Sequence, residues 1–187
     1  QADALLGQLV GGLQRDHDVE WRLLARTGAT TASTLRALEQ LGAAQYDVVV
    51  TSLGVNDVTG GVSAAQFVQQ QSALVDHLRG HLRAELVLAS GLPPVHRFPA
   101  LPQPLRGFLG QRARQFDAAL AALAGRRGDF VHVPLDMADA LDRTVMAVDG
   151  FHPGPPAYRD WARKLEVRIR ADATLALWRD GRPETRQ

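Results

Sequence analysis

The residues best suited to chemistry are an aspartate and a histidine three positions apart, Asp149 and His152, followed at once by Pro153. Both side chains can lie on one side of a turn, where the carboxylate accepts the imidazole Nδ1–H and stabilises the imidazolium formed when Nε2 takes a proton. Pro155 and Pro156 suit the first turn of a following helix, so the pair lies on a loop. The same spacing also fits a surface pair or a helix-capping aspartate.

A second candidate is the tetrapeptide Gly-Val-Asn-Asp at residues 54–57, directly after an apolar run. Gly54 allows the backbone to approach a ligand closely. The amide of Asn56 is an N–H donor that cannot lose its proton, which suits an oxyanion. Asp57 is expected to be structural, for example as a cap of the next segment. Because Gly, Asn and Asp are common in turns, the motif equally fits a plain turn.

Gly28 lies in the segment 27–31, which is predicted to lead from a strand into a helix. The start of a helix presents backbone N–H groups without intrahelical partners. Gly28 could therefore supply a second oxyanion donor, or the segment could be a flexible cap.

The other histidines are weaker candidates. His77 and His81 have the i, i+4 spacing of some zinc ligands, but the neighbouring sequence suggests no third ligand, so we expect an exposed helix face. His17 and His132 have no evident partner. His96 lies in a proline-rich loop and could line a pocket.

Apolar patterning predicts elements that alternate between helix and strand. The predicted helices cover residues 3–16, 30–41, 63–82, 106–125 and 156–178, and the predicted strands cover residues 19–25, 46–53, 85–90 and 130–133. Strands separated by helices of about a dozen residues pair in parallel. We therefore expect one domain over residues 1–187: a three-layer α/β/α sandwich with a parallel, flavodoxin-like sheet of about five strands. Ligands bind such sheets at the carboxyl ends of the strands.

The segment 91–104 contains five prolines, which exclude a regular helix or a central strand there. It is also rich in apolar side chains. A long loop with many apolar side chains usually covers a site, so we expect this loop to form one wall of a pocket near the catalytic loop.

Composition narrows the class of protein further. With 187 residues, 45% of them apolar and 22% charged, the chain is ordinary for a globular domain. A net charge of +1 gives no electrostatic reason to expect nucleic acid as a partner. The absence of cysteine excludes disulfides and thiolate metal sites. No apolar run approaches the roughly 18 residues of a membrane span, so no stable membrane insertion is expected. Compartment and oligomeric state are left open.

In their order and placement these blocks resemble the SGNH hydrolase superfamily, the GDSL-type lipases and acylhydrolases, in its bacterial branch. Members carry a Gly-Asp-Ser block, a glycine, a Gly-x-Asn-Asp block and an Asp-x-x-His block. Gly28 matches the second block, Gly54 and Asn56 the third, and Asp149 and His152 the fourth. The proline-rich loop is also similar to that of bacterial members.

The resemblance implies a serine ester hydrolase that acts through an acyl-enzyme, without a metal or cofactor. His152 would be the general base and Asp149 would orient it, while Gly28 and Asn56 would form the oxyanion hole. The implied substrate is a small or medium acyl ester, with thioesters, lysophospholipids and acetylated sugars as alternatives. The residues expected to contact it are Gly54, Val95, Phe98 and Leu101.

The chain departs from the family at the nucleophile, because Gly-Asp-Ser occurs nowhere in it. None of its serines matches a family nucleophile position: Ser33, Ser52, Ser63, Ser72 and Ser90. In the family the first strand lies inside the sheet, and its removal would leave two edges with unpaired backbone groups. We therefore expect that strand and its serine to precede Gln1, outside this sequence.

Three alternatives remain on the sequence alone. A true loss of the serine would give a catalytically inactive member of the superfamily. A non-catalytic α/β binding module is a second, although no Gly-rich phosphate loop follows the first visible strand. A metal-dependent hydrolase that uses His152, Asp149 and Asn56 is the third.

Overall fold

The computed structural model describes residues 4–98, 100–135, 146–147 and 152–172. Its helices are α1 (Leu5–Leu13), α2 (Thr31–Glu39), α3 (Val55–Thr59), α4 (Ala64–Gly80), α5 (Leu105–Arg127) and α6 (Pro155–Ala171). Its strands are β1 (Val48–Thr51), β2 (Leu86–Ser90) and β3 (Val131–Val133). A short 3₁₀ turn spans Val95–Arg97 in the proline-rich loop.

The three strands form one parallel sheet in the order β1-β2-β3. Val48 pairs with Leu86, and Leu88 pairs with Val131. All five residues of the central strand β2 are buried, as expected for a strand that is covered on both faces. The predicted α/β class with a parallel sheet is confirmed, and the described residues supply three of its strands.

Helices cover both faces of the sheet, because side chains alternate along each strand. Val87 and Ala89 of β2 face a core formed with α4 and α5, in which the rings of Phe67 and Phe116 lie 4.7 Å apart. Leu86 and Leu88 face a second core, formed with α1 and α6. The molecule is therefore a three-layer sandwich, and the loops that follow the strands meet at one edge of the sheet.

One predicted strand is wrong. Residues 19–25 have no regular secondary structure, and all of them except Val19 are exposed, including Trp21 at 56%. A strand is stable only when its backbone groups pair with a neighbour. Among the residues that the structure describes, none pairs with the edge of β1 that faces away from β2, here called the open edge. Residues 19–25 thus have no ladder to join.

The other elements agree with the sequence to within a few residues at each end, and residues 173–178 of the last predicted helix lie outside the described residues. The sequence missed the short helix α3, since five residues are too few to show a helical period. Over the described ranges no helix is long and apolar enough to cross a bilayer.

The proline-rich loop is held against α5 at a glycine. A Cβ at Gly110 would lie 2.8 Å from the Cα of His96 and 2.9 Å from its backbone nitrogen. Real side chains do not approach backbone atoms so closely, so glycine is what lets the 3₁₀ turn pack on this helix. The contact fixes the loop close to the carboxyl edge of the sheet.

We predict that Gly110→Ala lowers the free energy of unfolding by about 1–3 kcal/mol, because the added methyl group overpacks the contact with His96. Gly125→Ala is the matched control in the same helix, since a Cβ there would meet nothing within 4 Å. It should stabilise the protein by about 0.5 kcal/mol through helix propensity. Urea denaturation measures both changes, and equal effects of the two substitutions would contradict the packing account.

Candidate active site

Gly28 occupies a tight turn that precedes α2. Its φ is +74°, and the Ala29 N–H donates to the carbonyl of Arg26 across the turn (3.1 Å). A positive φ at this position favours glycine. A Cβ at Gly28 would meet nothing within 4 Å, so the backbone conformation and not crowding requires the glycine. The turn is exposed, as a donor to a ligand must be.

Gly54 joins β1 to α3 and is needed for two reasons. Its φ is +120°, which L side chains rarely adopt. A Cβ there would also lie 2.9 Å from Cδ1 of Leu92, in the loop that follows β2. Gly54 is itself buried under Leu92, and its predicted contact with substrate stays a prediction.

Asn56 brings the second and third blocks together. Its Nδ2 donates to the carbonyl oxygen of Ala29 at 2.9 Å, across 27 residues of sequence. A side-chain amide nitrogen carries two hydrogens, and this bond uses one of them. Asn56 and the Gly28 turn are therefore neighbours at the carboxyl edge of the sheet, where oxyanion donors would have to lie.

Asp57 has the structural role that its sequence position suggested, but it caps an earlier helix rather than the next segment. The carboxylate is 0% exposed. Both of its oxygens accept from the backbone N–H of Thr31, each at 3.1 Å, and Oδ2 also accepts from the Thr31 hydroxyl at 3.1 Å. Thr31 is the first residue of α2.

His152 lies on an exposed loop just before α6. The Ala147 N–H donates to the carbonyl of His152 (2.8 Å), and Met146 and Pro153 form an antiparallel bridge. Because Met146 is buried in the core beside α5, this bridge anchors the backbone that carries the histidine. Asp149 lies outside the described residues, so its pairing with His152 stays a prediction.

The helix that follows this loop begins as the sequence suggested. Gly154 is the N-cap of α6 and has an extended backbone, and Pro155 and Pro156 occupy the first turn. Prolines there cost no hydrogen bond, because the first N–H groups of a helix have no intrahelical acceptor.

The apolar residues of the proline-rich loop point mainly into the protein. Val95 and Phe98 are only 3% and 2% exposed and belong to the core beside α5. Leu101 is half-buried against the same core. Their predicted contact with an acyl chain stays a prediction, and Leu101 is the most accessible of the three.

His132 has a partner that the sequence did not reveal. Its Nε2 lies 2.8 Å from Oδ1 of Asp117, an α5 residue whose Oδ1 also accepts from the Leu92 N–H at 2.9 Å. The expectation of no partner was wrong, because the contact joins β3 to a helix 15 residues earlier. The bond to Leu92 fixes the start of the proline-rich loop.

No metal site is found in the described part of the chain. There, no group of three or more His, Cys, Asp or Glu side chains could hold an ion. The rings of His77 and His81 lie 4.9 Å apart, and Nε2 of His81 is 3.4 Å from the carbonyl of Leu41. His81 is exposed, as expected for a helix face, whereas His77 is partly buried.

Four of the five serines already serve as structural hydrogen-bond partners. Ser33 and Ser63 take part in the capping boxes of α2 and α4. Ser72 accepts from Arg127, and the buried Ser90 accepts from the indole N–H of Trp161 at 3.0 Å. The fifth, Ser52, is exposed after β1.

The profile of the GDSL-like lipase/acylhydrolase family matches residues 1–159. The chain belongs to this family. A GDSL-like esterase of Mycobacterium tuberculosis (strain ATCC 25618 / H37Rv) is 29% identical over 135 residues, which cover 70% of this chain. The match covers 42% of the esterase, so the chain spans less than half the length of that relative.

Solved structures share the fold. A lipolytic protein of the G-D-S-L family from Veillonella parvula DSM 2008 has a TM-score of 0.70 at 16% identity, with 90% of this chain and 89% of that chain covered. The inhibitor-bound aryl esterase of M. smegmatis has a TM-score of 0.61 at 21% identity, with 91% and 86% covered. At these identities the likeness concerns the fold alone.

His96, on the proline-rich loop, should titrate below its usual range. Burial, together with the guanidinium groups of Arg114 and Arg97, lowers the pKa of His96 from 6.5. Between pH 6.5 and this lowered pKa the unfolded chain binds more protons at His96 than the folded protein does, so the protein becomes less stable as the pH falls through that range. An NMR titration should give a pKa under 6.5 that Arg114→Gln raises. A pKa at or above 6.5 would contradict this assignment.

Proposed function

We propose that this chain belongs to a serine ester hydrolase that forms an acyl-enzyme. The observation that supports the proposal best is the hydrogen bond from Asn56 to Ala29, which sets two family blocks side by side. The backbone N–H of Gly28 and the second N–H of Asn56 can then stabilise the oxyanion of a tetrahedral intermediate.

His152 is the general base in this proposal. Its Nε2 takes the proton of the serine hydroxyl as the oxygen attacks the ester carbonyl, and then delivers the proton to the leaving alcohol. Asp149 accepts the Nδ1–H and holds the imidazole in that tautomer. Water then repeats the sequence on the acyl-enzyme and releases the acid.

The nucleophile is a serine at the end of a strand that pairs with the open edge of β1. Two features support this placement. The open edge lies on a partly buried strand, and residues 19–25 expose Trp21, Leu23 and Leu24 next in sequence to the Gly28 turn. A further strand would satisfy the backbone of β1 and give residues 19–25 a partner. With that strand, residues 1–187 make up one domain.

The substrate is an ester of a small or medium acyl group. The relatives that are named as esterases, including an aryl esterase, agree with this class. The Gly28 turn is exposed, and Leu101 offers a partly exposed apolar side chain on the proline-rich loop, whose Leu92 packs on Gly54. Thioesters and lysophospholipids are further candidates of the same reaction class.

A fluorophosphonate probe tests the function directly, because it reacts only with an activated serine. We expect the native protein to be labelled on a serine outside the 187 residues. His152→Ala should abolish labelling, whereas Ser52→Ala should leave it intact as the matched control.

Two results would contradict the proposal. Labelling of Ser52 or another serine of this chain would place the nucleophile elsewhere. A native protein that is not labelled and turns over no p-nitrophenyl ester would be the inactive or non-catalytic binding form of this fold.

A further inference from the structure

The buried carboxylate of Asp57 has an arrangement that goes beyond capping a helix. It accepts three hydrogen bonds, all from Thr31, which lies 26 residues earlier in the chain. A carboxylate at the first turn of a helix also faces the positive end of the helix dipole. Asp57 on α3 is thereby bound to the start of α2 from a fully buried position.

A residue of a third helix, α4, determines which way the Thr31 hydroxyl donates its hydrogen. The side chain of Gln71 on α4 is buried, and its Nε2 donates to Oγ1 of Thr31 at 2.9 Å. The hydroxyl therefore accepts from Gln71 and donates its own hydrogen to Asp57. A group whose donor and acceptor are both engaged has a single orientation, so the three side chains form a rigid connection between α2, α3 and α4.

Each of the two candidate oxyanion donors is close in sequence to one of the bonded residues, Asp57 or Thr31. Asn56 is the residue before Asp57, and Gly28 precedes Thr31 by three residues. The bond from Asn56 to Ala29 runs alongside the bonds from Thr31 to Asp57. Any rotation of α3 relative to the start of α2 would therefore move the Asn56 amide and the Gly28 N–H relative to each other.

We propose that Asp57, held by Thr31 and Gln71, is the positioning residue of the oxyanion hole. It does not touch substrate but fixes the angle between the Gly28 N–H and the Asn56 Nδ2–H. This inference rests on the proposed function, since it concerns how well the two donors stabilise the transition state. A displacement of about 1 Å in such donors lowers a rate by up to about 10²-fold.

Asp57→Asn is the principal test, measured with p-nitrophenyl acetate on the full-length protein. The variant keeps the shape of the side chain, but one oxygen is replaced by an NH₂ group that faces the donors of Thr31. We expect kcat to fall by about 10- to 100-fold, with KM within twofold of wild type. Thr31→Val, which removes only the hydroxyl, should lower kcat by a smaller factor, and Thr31→Ser should retain it.

Two controls separate positioning from stability. Ile169→Ala removes a core side chain on α6, outside the network, and should lower the thermal midpoint while kcat per titrated site stays at the wild-type value. Thr59→Val alters the same short helix α3 at an exposed hydroxyl that bonds only to its own helix, and should leave kcat unchanged.

A second readout does not depend on turnover. In ¹H–¹⁵N spectra of the full-length protein, the Nδ2 hydrogen of Asn56 that is bonded to Ala29 should exchange slowly with water in wild type and in Thr31→Ser, and faster in Asp57→Asn and Thr31→Val. Asn56→Ala, which removes the donor itself, should lower kcat by about 10²–10³-fold.

The proposed function and the positioning role of Asp57 can be refuted independently of each other. If Asn56→Ala leaves kcat unchanged, the oxyanion assignment in the proposed function is wrong, while Asn56 exchange still decides the role of Asp57. If Asn56→Ala lowers kcat but Asp57→Asn and Thr31→Val leave kcat and Asn56 exchange at wild-type values, the positioning role is overturned. If Ile169→Ala lowers kcat as much as Asp57→Asn does, when the two variants are equally stable, the positioning role of Asp57 is also overturned.

Discussion

The hydrogen bonds from Thr31 to the carboxylate of Asp57 determine where the Gly28 turn lies. The chain before that turn, residues 19–25, has no regular structure and makes no ladder with the sheet in the described part of the chain. The turn is therefore positioned from its far side, by the start of α2 and by the bond from Asn56 to Ala29. Of the two candidate oxyanion donors, the Gly28 N–H therefore depends for its position on the buried carboxylate of Asp57.

The parallel sheet explains why the other parts of the site converge. The loops after β1 and β2 leave the sheet at the same edge, and Leu92 from the second loop packs directly on Gly54 from the first. Asp117 holds the backbone of Leu92 from α5, and Gly110 admits the 3₁₀ turn that follows. The packing of these loops on the helix, rather than regular secondary structure, gives the edge its shape.

Local patterns in the sequence were enough for the long helices, for β1 to β3, and for the positions of Gly28 just before α2 and of Asn56 just after β1. They failed where a structure depends on distant residues. Residues 19–25 have strand composition, but a strand also needs a neighbour. Neither the contact of His132 with Asp117 nor the burial of Val95 and Phe98 follows from local spacing, because each depends on how α5 packs on the sheet.

A crystal structure of the full-length protein after reaction with an alkyl fluorophosphonate would test the oxyanion hole most directly. The phosphonyl oxygen then occupies the place of the oxyanion. This oxygen should lie about 2.7–3.1 Å from both the Gly28 nitrogen and Nδ2 of Asn56. An adduct on a serine of this chain, or an oxygen beyond hydrogen-bond distance of both donors, would contradict the proposed function.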